Sequence, residues 1–80
     1  MKVRLLFFAG LRDLTGSSDY DAELPADVRD VAGVQRWLTT VFPLLRFDGV
    51  RFAVDEEFAS MTTPVSAGQT IALIPPVSGG

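Results

Sequence analysis

One segment with helical periodicity lies between two groups of strand-like segments, and this arrangement narrows the choice of fold. The segment runs from Asp30 to Pro43, and its apolar residues recur at the spacing of one helix face. They are Val31, Val34, Trp37, Leu38 and Val41. Asp30 is suited to cap the helix, and Pro43 disfavours helix in the residue before it. We predict one main helix whose apolar face, with Trp37, forms part of the core.

The remaining segments are short, apolar or alternating, and separated by turn residues. Strands are predicted over Val3–Ala9, Asp19–Leu24, Val50–Val54, Phe58–Ala59 and Thr70–Ile74. Asp19–Leu24 alternates acidic with apolar residues, which is typical of an edge strand. Thr70–Ile74 is nearly continuously apolar, which favours a central strand covered on both faces. The chain is therefore predicted to be α+β, with a mixed sheet of about five strands packed on one main helix.

The connecting segments contain turn residues at the expected places. Leu11–Ser18 is predicted to form a turn or a single helical turn that closes at Gly16. Asp48-Gly49 is a turn signal ahead of the third strand. Asp55–Glu57 is predicted to be a polar turn between the third and fourth strands.

The residue types that the chain lacks narrow its chemistry. Its 80 residues include no histidine and no cysteine, so the chain has no imidazole base, no thiolate nucleophile and no Cys/His set for zinc. A formal charge of −3 argues against binding to nucleic-acid phosphates. The apolar run at its start is too short for a signal peptide or a membrane span. We expect a cytoplasmic protein that binds neither nucleic acid nor membrane.

Two groups of acidic residues are candidates for chemistry, and each has a simpler explanation. Asp55–Glu57 could bind a divalent cation, yet consecutive residues in a tight turn point in different directions. We interpret this group as a solvated hairpin turn. Asp19, Asp21 and Glu23 share one face of a strand, where charge discourages pairing with another chain. We predict no metal site and no catalytic carboxylate in either group.

The C-terminus carries the most informative chemistry. The predicted last strand ends at Ile74, and six residues follow it, beginning with Pro75-Pro76 and ending with Gly79-Gly80. Proline favours a stiff, extended path because it fixes φ, and glycine fits a slot too narrow for other residues. We predict a folded domain over 1–74 and an extended tail over 75–80 that presents its terminal carboxylate. A frayed end is the alternative.

Three segments of the chain resemble the MoaD family. They are Phe7–Arg12, Phe52–Phe58 and Ile71–Gly80, and the closing Pro-Pro-Val-Ser-Gly-Gly is the most specific of them. The MoaD family comprises the small, ubiquitin-like, sulfur-carrier subunits of molybdopterin synthase. The resemblance implies a β-grasp fold, which agrees with the strand and helix count. Asp55 stands where the family commonly has asparagine, a small departure within a turn.

The resemblance implies that Gly80 is the reacting residue. A MoeB-like adenylating enzyme would activate its carboxylate with ATP and Mg²⁺, and a persulfide sulfurtransferase would convert it to a thiocarboxylate. The large subunit, MoaE, would accept the tail in a heterotetramer. There the sulfur would pass to cyclic pyranopterin monophosphate to form the dithiolene of molybdopterin. This chain itself would bind no cofactor and would be the non-catalytic sulfur donor.

The resemblance also assigns residues to the partner interface. Those threaded into the partner would be Pro75, Pro76, Val77, Ser78 and Gly79. Phe8, Arg12 and Ile74 would contact the partner from the sheet surface. Phe8 lies in a predicted strand, so a core position is its alternative. A local salt bridge is the alternative for Arg12.

Two other functions stay open at this point. A ThiS-like sulfur carrier for thiazole or another sulfur-containing product would use the same tail chemistry with a different acceptor. A ubiquitin-like interaction module would have an inert C-terminus. Sulfur incorporation at Gly80 separates the inert module from the two carriers, and the acceptor enzyme separates the carriers from each other.

Overall fold

Residues 1–76, which the computed structural model describes, form a five-stranded sheet and two α-helices. In chain order the elements are β1 (Lys2–Phe7), α1 (Gly10–Thr15), β2 (Asp19–Glu23), α2 (Val31–Val41), β3 (Arg51–Val54), β4 (Glu57–Ala59) and β5 (Thr70–Ile74). The strand order across the sheet is β2-β1-β5-β3-β4. β1 and β5 run parallel, and the other neighbouring strands pair antiparallel. The predicted α+β mixed sheet with one main helix is confirmed.

The main helix α2 forms for the local reasons that its sequence indicates. The Asp30 carboxylate accepts a hydrogen bond from the backbone N–H of Gly33, with 2.8 Å between Oδ1 and N, which satisfies one unpaired donor of the first turn. Val34 and Leu38 are fully buried. Trp37 packs against the core but is half-buried. Trp37 therefore contacts the core as predicted, but its side chain is not fully buried there.

The central position of β5 is confirmed, but the prediction that β5 is covered on both faces is wrong. Ile71 and Leu73 are fully buried in a cluster with the apolar residues of α2. Alternate residues of the same strand, Ala72 and Ile74, are half-buried on the other face. The physical reason is that successive side chains of a strand point to opposite faces, and α2 packs on one face of the sheet. The other face is left with exposed apolar surface.

The first strand is shorter than predicted. β1 ends at Phe7, and Ala9 takes a positive φ of 50° that turns the chain into α1. Phe8 consequently lies outside the strand with 47% of its surface exposed. The alternative in which Phe8 belongs to the core is wrong, because alternation along the chain places Phe8 on the open face with Leu6, opposite the buried Leu5 and Phe7.

The predicted turns are present, and all three use left-handed backbone. Gly16 closes α1 with a φ of 79°, and Gly49 takes a φ of 72° in the turn ahead of β3. Asp55 and Glu56 have φ values of 48° and 72°, the backbone expected of a two-residue hairpin turn. β2 lies at one edge of the sheet, as its alternating acidic residues predict. In residues 1–76, no helix has the length and apolar character needed to cross a membrane.

Candidate functional site

The parallel pairing of β1 and β5 brings the start of α1 beside the start of the C-terminal segment 75–80. Phe7 and Leu73 are the last pair of this parallel ladder. The backbone N–H of Phe8 donates to the carbonyl oxygen of Leu73, with 3.3 Å between N and O. Because parallel strands run in the same direction, β1 and β5 finish side by side, and the chain leaves both of them at the same edge of the sheet, the one formed by their C-terminal ends. Phe8 and Ile74 therefore lie together.

The short helix α1 is held at this edge by one buried residue and by its own turns. Leu11 is buried in the core. The backbone N–H of Leu11 donates to Phe8 O and that of Arg12 to Ala9 O, each across 3.1 Å. The backbone N–H of Gly16 donates to Arg12 O across 2.8 Å, and the helix ends there. Arg12 is consequently exposed on a fixed turn beside the end of β5.

An open cleft of about 620 Å³ lies at this edge. Its lining consists of Phe8, Ala9, Gly10, Arg12, Ile74, Pro75 and Pro76. The structure thus brings together five of the residues that the sequence assigned to a partner interface. In residues 1–76, no acidic side chain lies within ion-pair distance of the Arg12 guanidinium. The other assigned residues, Val77, Ser78, Gly79 and Gly80, lie outside the described residues.

A row of apolar side chains crosses the open face of the sheet next to this cleft. The strand registers pair Leu6 with Ala72, Ala72 with Ala53, and Ala53 with Phe58. We call these four residues the apolar row. The two alanines are small, so the larger residues around them leave a groove of about 240 Å³. Its lining also includes Phe8, Glu56, Thr70 and Ile74.

Charged residues surround the apolar row. The Arg51 guanidinium carbon lies 4.0 Å from the centre of the Phe58 ring, a cation–π contact at an exposed site. On the far side of the face, Arg4 pairs with Asp21 at 3.3 Å and with Asp19 at 3.8 Å. An apolar centre with a charged rim is typical of a protein–protein interface.

The cleft and the apolar row can bind and orient a partner, but their side chains offer no chemistry of their own. The cleft is lined by apolar residues and one arginine, none of which is a ready nucleophile or base at neutral pH. Across residues 1–76, no group of three or more acidic side chains is arranged to hold a metal ion. The Asp55 carboxylate instead accepts hydrogen bonds from Thr70 and Gln69.

Sequence reasoning missed two parts of this site. The apolar row was not predicted because its members come from four strands, and the register that aligns them is set by pairing. Simple alternation with the buried Phe52 and Val54 would have placed Phe58 in the core. The two-residue turn instead pairs Ala53 with Phe58 and directs Phe58 to the open face. Gly49, which lies against Pro76, gave a turn signal but no indication of that contact.

Comparison with protein families places the chain in a known group. The family model described as the ThiS family matches residues 5–80. This match includes β5, the cleft residues and the C-terminal segment.

Comparison with solved structures gives the fold. SAMP1 from Haloferax volcanii is 24% identical, with 100% of each chain covered and a TM-score of 0.82. A putative molybdopterin converting factor subunit 1 from Pyrococcus furiosus is 23% identical over 96% of this chain and 99% of that one, with a TM-score of 0.82. A complex of subunits 1 and 2 of the molybdopterin-converting factor from Helicobacter pylori matches at 21% identity, with 100% of each chain covered and a TM-score of 0.67. The fold is the ubiquitin-like β-grasp.

Proposed function

The chain belongs to the ThiS family, a family of ubiquitin-fold sulfur carriers, and we propose that it is the sulfur-carrier subunit of a molybdopterin synthase. Gly80 carries the sulfur, and the residues from Pro75 to Gly79 form an extended tail that enters the active site of a MoaE-like large subunit. The apolar row and the cleft beside α1 bind that subunit. The same surface binds a MoeB-like adenylating enzyme at an earlier step.

The observation that carries the proposal is that the chain leaves β1 and β5 at the same edge of the sheet. It places Phe8, Arg12 and Ile74 around the start of the C-terminal segment, so a partner that binds this edge also reaches the C-terminus. The subunit 1 of the Helicobacter pylori complex, which is similar to this chain, was solved together with a subunit 2. That complex supports a large subunit as the partner.

The terminal carboxylate needs activation because its oxygens are poor leaving groups. In the proposed sequence an oxygen of Gly80 attacks the α-phosphorus of ATP, pyrophosphate leaves, and an acyl adenylate forms. The terminal sulfur of a persulfide on a sulfurtransferase then attacks the carbonyl carbon, and AMP leaves. A thiol of that partner cleaves the sulfur–sulfur bond, which leaves a thiocarboxylate on Gly80 and a disulfide in the partner.

The thiocarboxylate then becomes the nucleophilic donor. Within the large subunit, its sulfur forms a bond to a carbon of cyclic pyranopterin monophosphate in place of an oxygen substituent. Water then cleaves the bond between that sulfur and the Gly80 carbonyl carbon, which restores the carboxylate, and two such transfers build the dithiolene of molybdopterin. The absence of histidine and cysteine fits this scheme, because the partner enzymes supply the catalytic groups. A chain without a thiol cannot attack its own activated terminus with an internal cysteine.

Intact-mass analysis tests the carrier chemistry. The full chain is incubated with ATP, Mg²⁺, a MoeB-like enzyme and a persulfide sulfurtransferase. We expect the mass to rise by the difference between one sulfur and one oxygen atom, with the change located in the C-terminal peptide. The charged protein is then mixed with a MoaE-like subunit and cyclic pyranopterin monophosphate, and molybdopterin is expected as the product. An unchanged mass with active partners contradicts the proposal.

A sulfur carrier for thiazole synthesis is the second candidate, favoured by the description of the matching family. It requires the same thiocarboxylate but a different acceptor enzyme. Offering the charged protein to a thiazole synthase and to a MoaE-like subunit in parallel distinguishes the two. Sulfur transfer only in the thiazole synthase reaction would replace the first proposal with the second.

A further inference from the structure

We propose that Gly49 is a positioning residue for the C-terminal tail, because its missing side chain lets Pro76 pack on the turn ahead of β3 and so sets the direction in which the chain leaves β5. The inference rests on the proposed function, since that direction matters only if the terminal carboxylate reacts inside a partner. Gly49 itself takes no part in the chemistry.

The register between β3 and β5 places Gly49 opposite Pro76. Arg51 pairs with Ile74 in the antiparallel ladder, and continuing this register by two residues brings Gly49 to Pro76. Proline has no backbone N–H and cannot extend the ladder. The ring of Pro76 instead occupies the space beside Gly49.

The contact between these two residues is tighter than a Cβ atom ordinarily makes. A Cβ placed on Gly49 would lie 3.2 Å from Cγ, 3.3 Å from Cβ and 3.6 Å from Cδ of Pro76. Directly opposed residues of paired strands ordinarily keep their Cβ atoms about 4.5–5.5 Å apart. A side chain at position 49 therefore requires the Pro76 ring to shift by a few tenths of an ångström, and we infer that this shift changes the direction of the chain at Pro76.

The turn that carries Gly49 is fixed by its own contacts. The backbone N–H of Val50 donates to Phe47 O across 3.0 Å, and the Phe47 ring stacks on that of the buried Phe52 with 6.2 Å between centroids. Pro76 thus rests on an anchored surface. Pro76 also lines the cleft together with Phe8 and Arg12.

Gly68 provides a matched control for Gly49. Gly68 also has a left-handed φ, 85° against 72° for Gly49, but nothing lies within 4 Å of a Cβ placed on it. Asparagine tolerates this backbone region better than other residues with a side chain. Gly49→Asn and Gly68→Asn therefore impose similar backbone demands, and only the first inserts atoms against Pro76.

The experiment measures sulfur incorporation into the full-length wild-type protein and both variants, with the MoeB-like enzyme and a persulfide sulfurtransferase. Folding of each is checked by its thermal midpoint and its amide spectrum. We expect G49N to lower kcat by about tenfold, because a misplaced reacting group loses its orientation. Its KM should stay within about twofold of wild type, since the apolar row and the cleft residues other than Pro76 are unchanged. G68N should match wild type in both parameters.

A double-mutant cycle with Pro76→Gly tests whether the two residues act through their contact. P76G removes the ring atoms that a side chain at position 49 would meet. We expect G49N to have no further effect on kcat in the P76G background. A nuclear Overhauser effect between the Gly49 α-protons and the Pro76 ring is expected in the wild-type spectrum, whether or not sulfur is incorporated.

Failure of this inference and failure of the proposed function give different results. Sulfur uptake by the wild type, together with equal kcat values for G49N and G68N or additive effects of G49N and P76G, overturns the positioning role alone. Absence of the nuclear Overhauser effect also overturns it alone. If the wild type takes up no sulfur from active partners, the proposed function fails and the positioning role fails with it.

Discussion

Asp55 and Thr70 exchange two hydrogen bonds between the β3–β4 turn and the start of β5. The backbone N–H of Asp55 donates to Thr70 O across 2.8 Å, and Asp55 Oδ1 accepts from the backbone N–H of Thr70 across 2.9 Å. Oδ2 of the same carboxylate accepts from Gln69 Nε2 at 3.2 Å. The acidic residue that could have marked a cation site therefore ties two distant parts of the chain together.

Replacing Asp55 with alanine should lower the free energy of unfolding by about 1–2 kcal/mol, because the variant loses charge-assisted hydrogen bonds and tolerates a positive φ less well. Urea unfolding monitored by circular dichroism measures the change. Asp55→Asn is the control, because asparagine keeps an acceptor oxygen and accepts the same backbone. We expect it to stay within about 0.5 kcal/mol of wild type, and equal losses in both variants would contradict this role.

Ala9 occupies a backbone conformation that suits glycine, with φ 50° and ψ −129°. Ala9→Gly should raise the free energy of unfolding by about 1 kcal/mol, since relief of strain outweighs the added flexibility of the unfolded chain. For a domain of this size that corresponds to a thermal midpoint about 4–8 °C higher. Ala67→Gly, in an exposed turn without a positive φ, should lower the midpoint. A lower midpoint for both variants would contradict strain at Ala9.

The apolar row predicts which surface substitutions weaken partner binding. Phe58→Asp should reduce affinity for a MoaE-like subunit by at least about tenfold, because it replaces the largest exposed apolar side chain of the apolar row with a charge. Leu44→Asp is the matched control, since Leu44 is also exposed (72% against 62% for Phe58) but lies after α2 and does not line the groove. Calorimetry measures both affinities. Equal affinities for the two variants would place the interface elsewhere.

If Gly80 carries the sulfur, sulfur incorporation should depend strictly on the length of the C-terminal tail. Deleting Gly80, or adding one alanine after it, should abolish sulfur incorporation, because the reacting carboxylate no longer reaches the activating site in register. Thermal unfolding should be unchanged, since Leu73 is the last core residue within the described range 1–76. The comparison is made on intact mass after incubation with ATP and partners. Full sulfur incorporation by the extended protein would be incompatible with Gly80 as the carrier.

Local sequence accounted for the elements that depend on neighbouring residues. The spacing of Val34 and Leu38, with Asp30 as the cap, predicted α2 with its bounds, because helix periodicity and capping act over a few residues. The alternation after Asp19 predicted an edge strand, and the two-residue hairpin turn at Asp55 followed from its polar residues. The position of β5 at the sheet centre followed from its apolar composition.

The site depended on contacts between residues far apart in the chain. The exposure of Phe8 follows from its place on the sheet face that α2 does not cover, and local sequence does not determine which face that is. Sequence placed Ile74 at the end of a strand, but the half-buried face of that strand emerged only once α2 was seen to pack on the other face.

The sequence by itself determined the helix, the approximate strands and the turns, since each is set by short-range preferences. Only the tertiary structure decided that Leu6, Ala53, Ala72 and Phe58 form one row and that Pro76 rests on Gly49. Register is the reason. A shift of one residue in any strand would turn its side chains to the opposite face, and that choice is made by the packing of the whole domain.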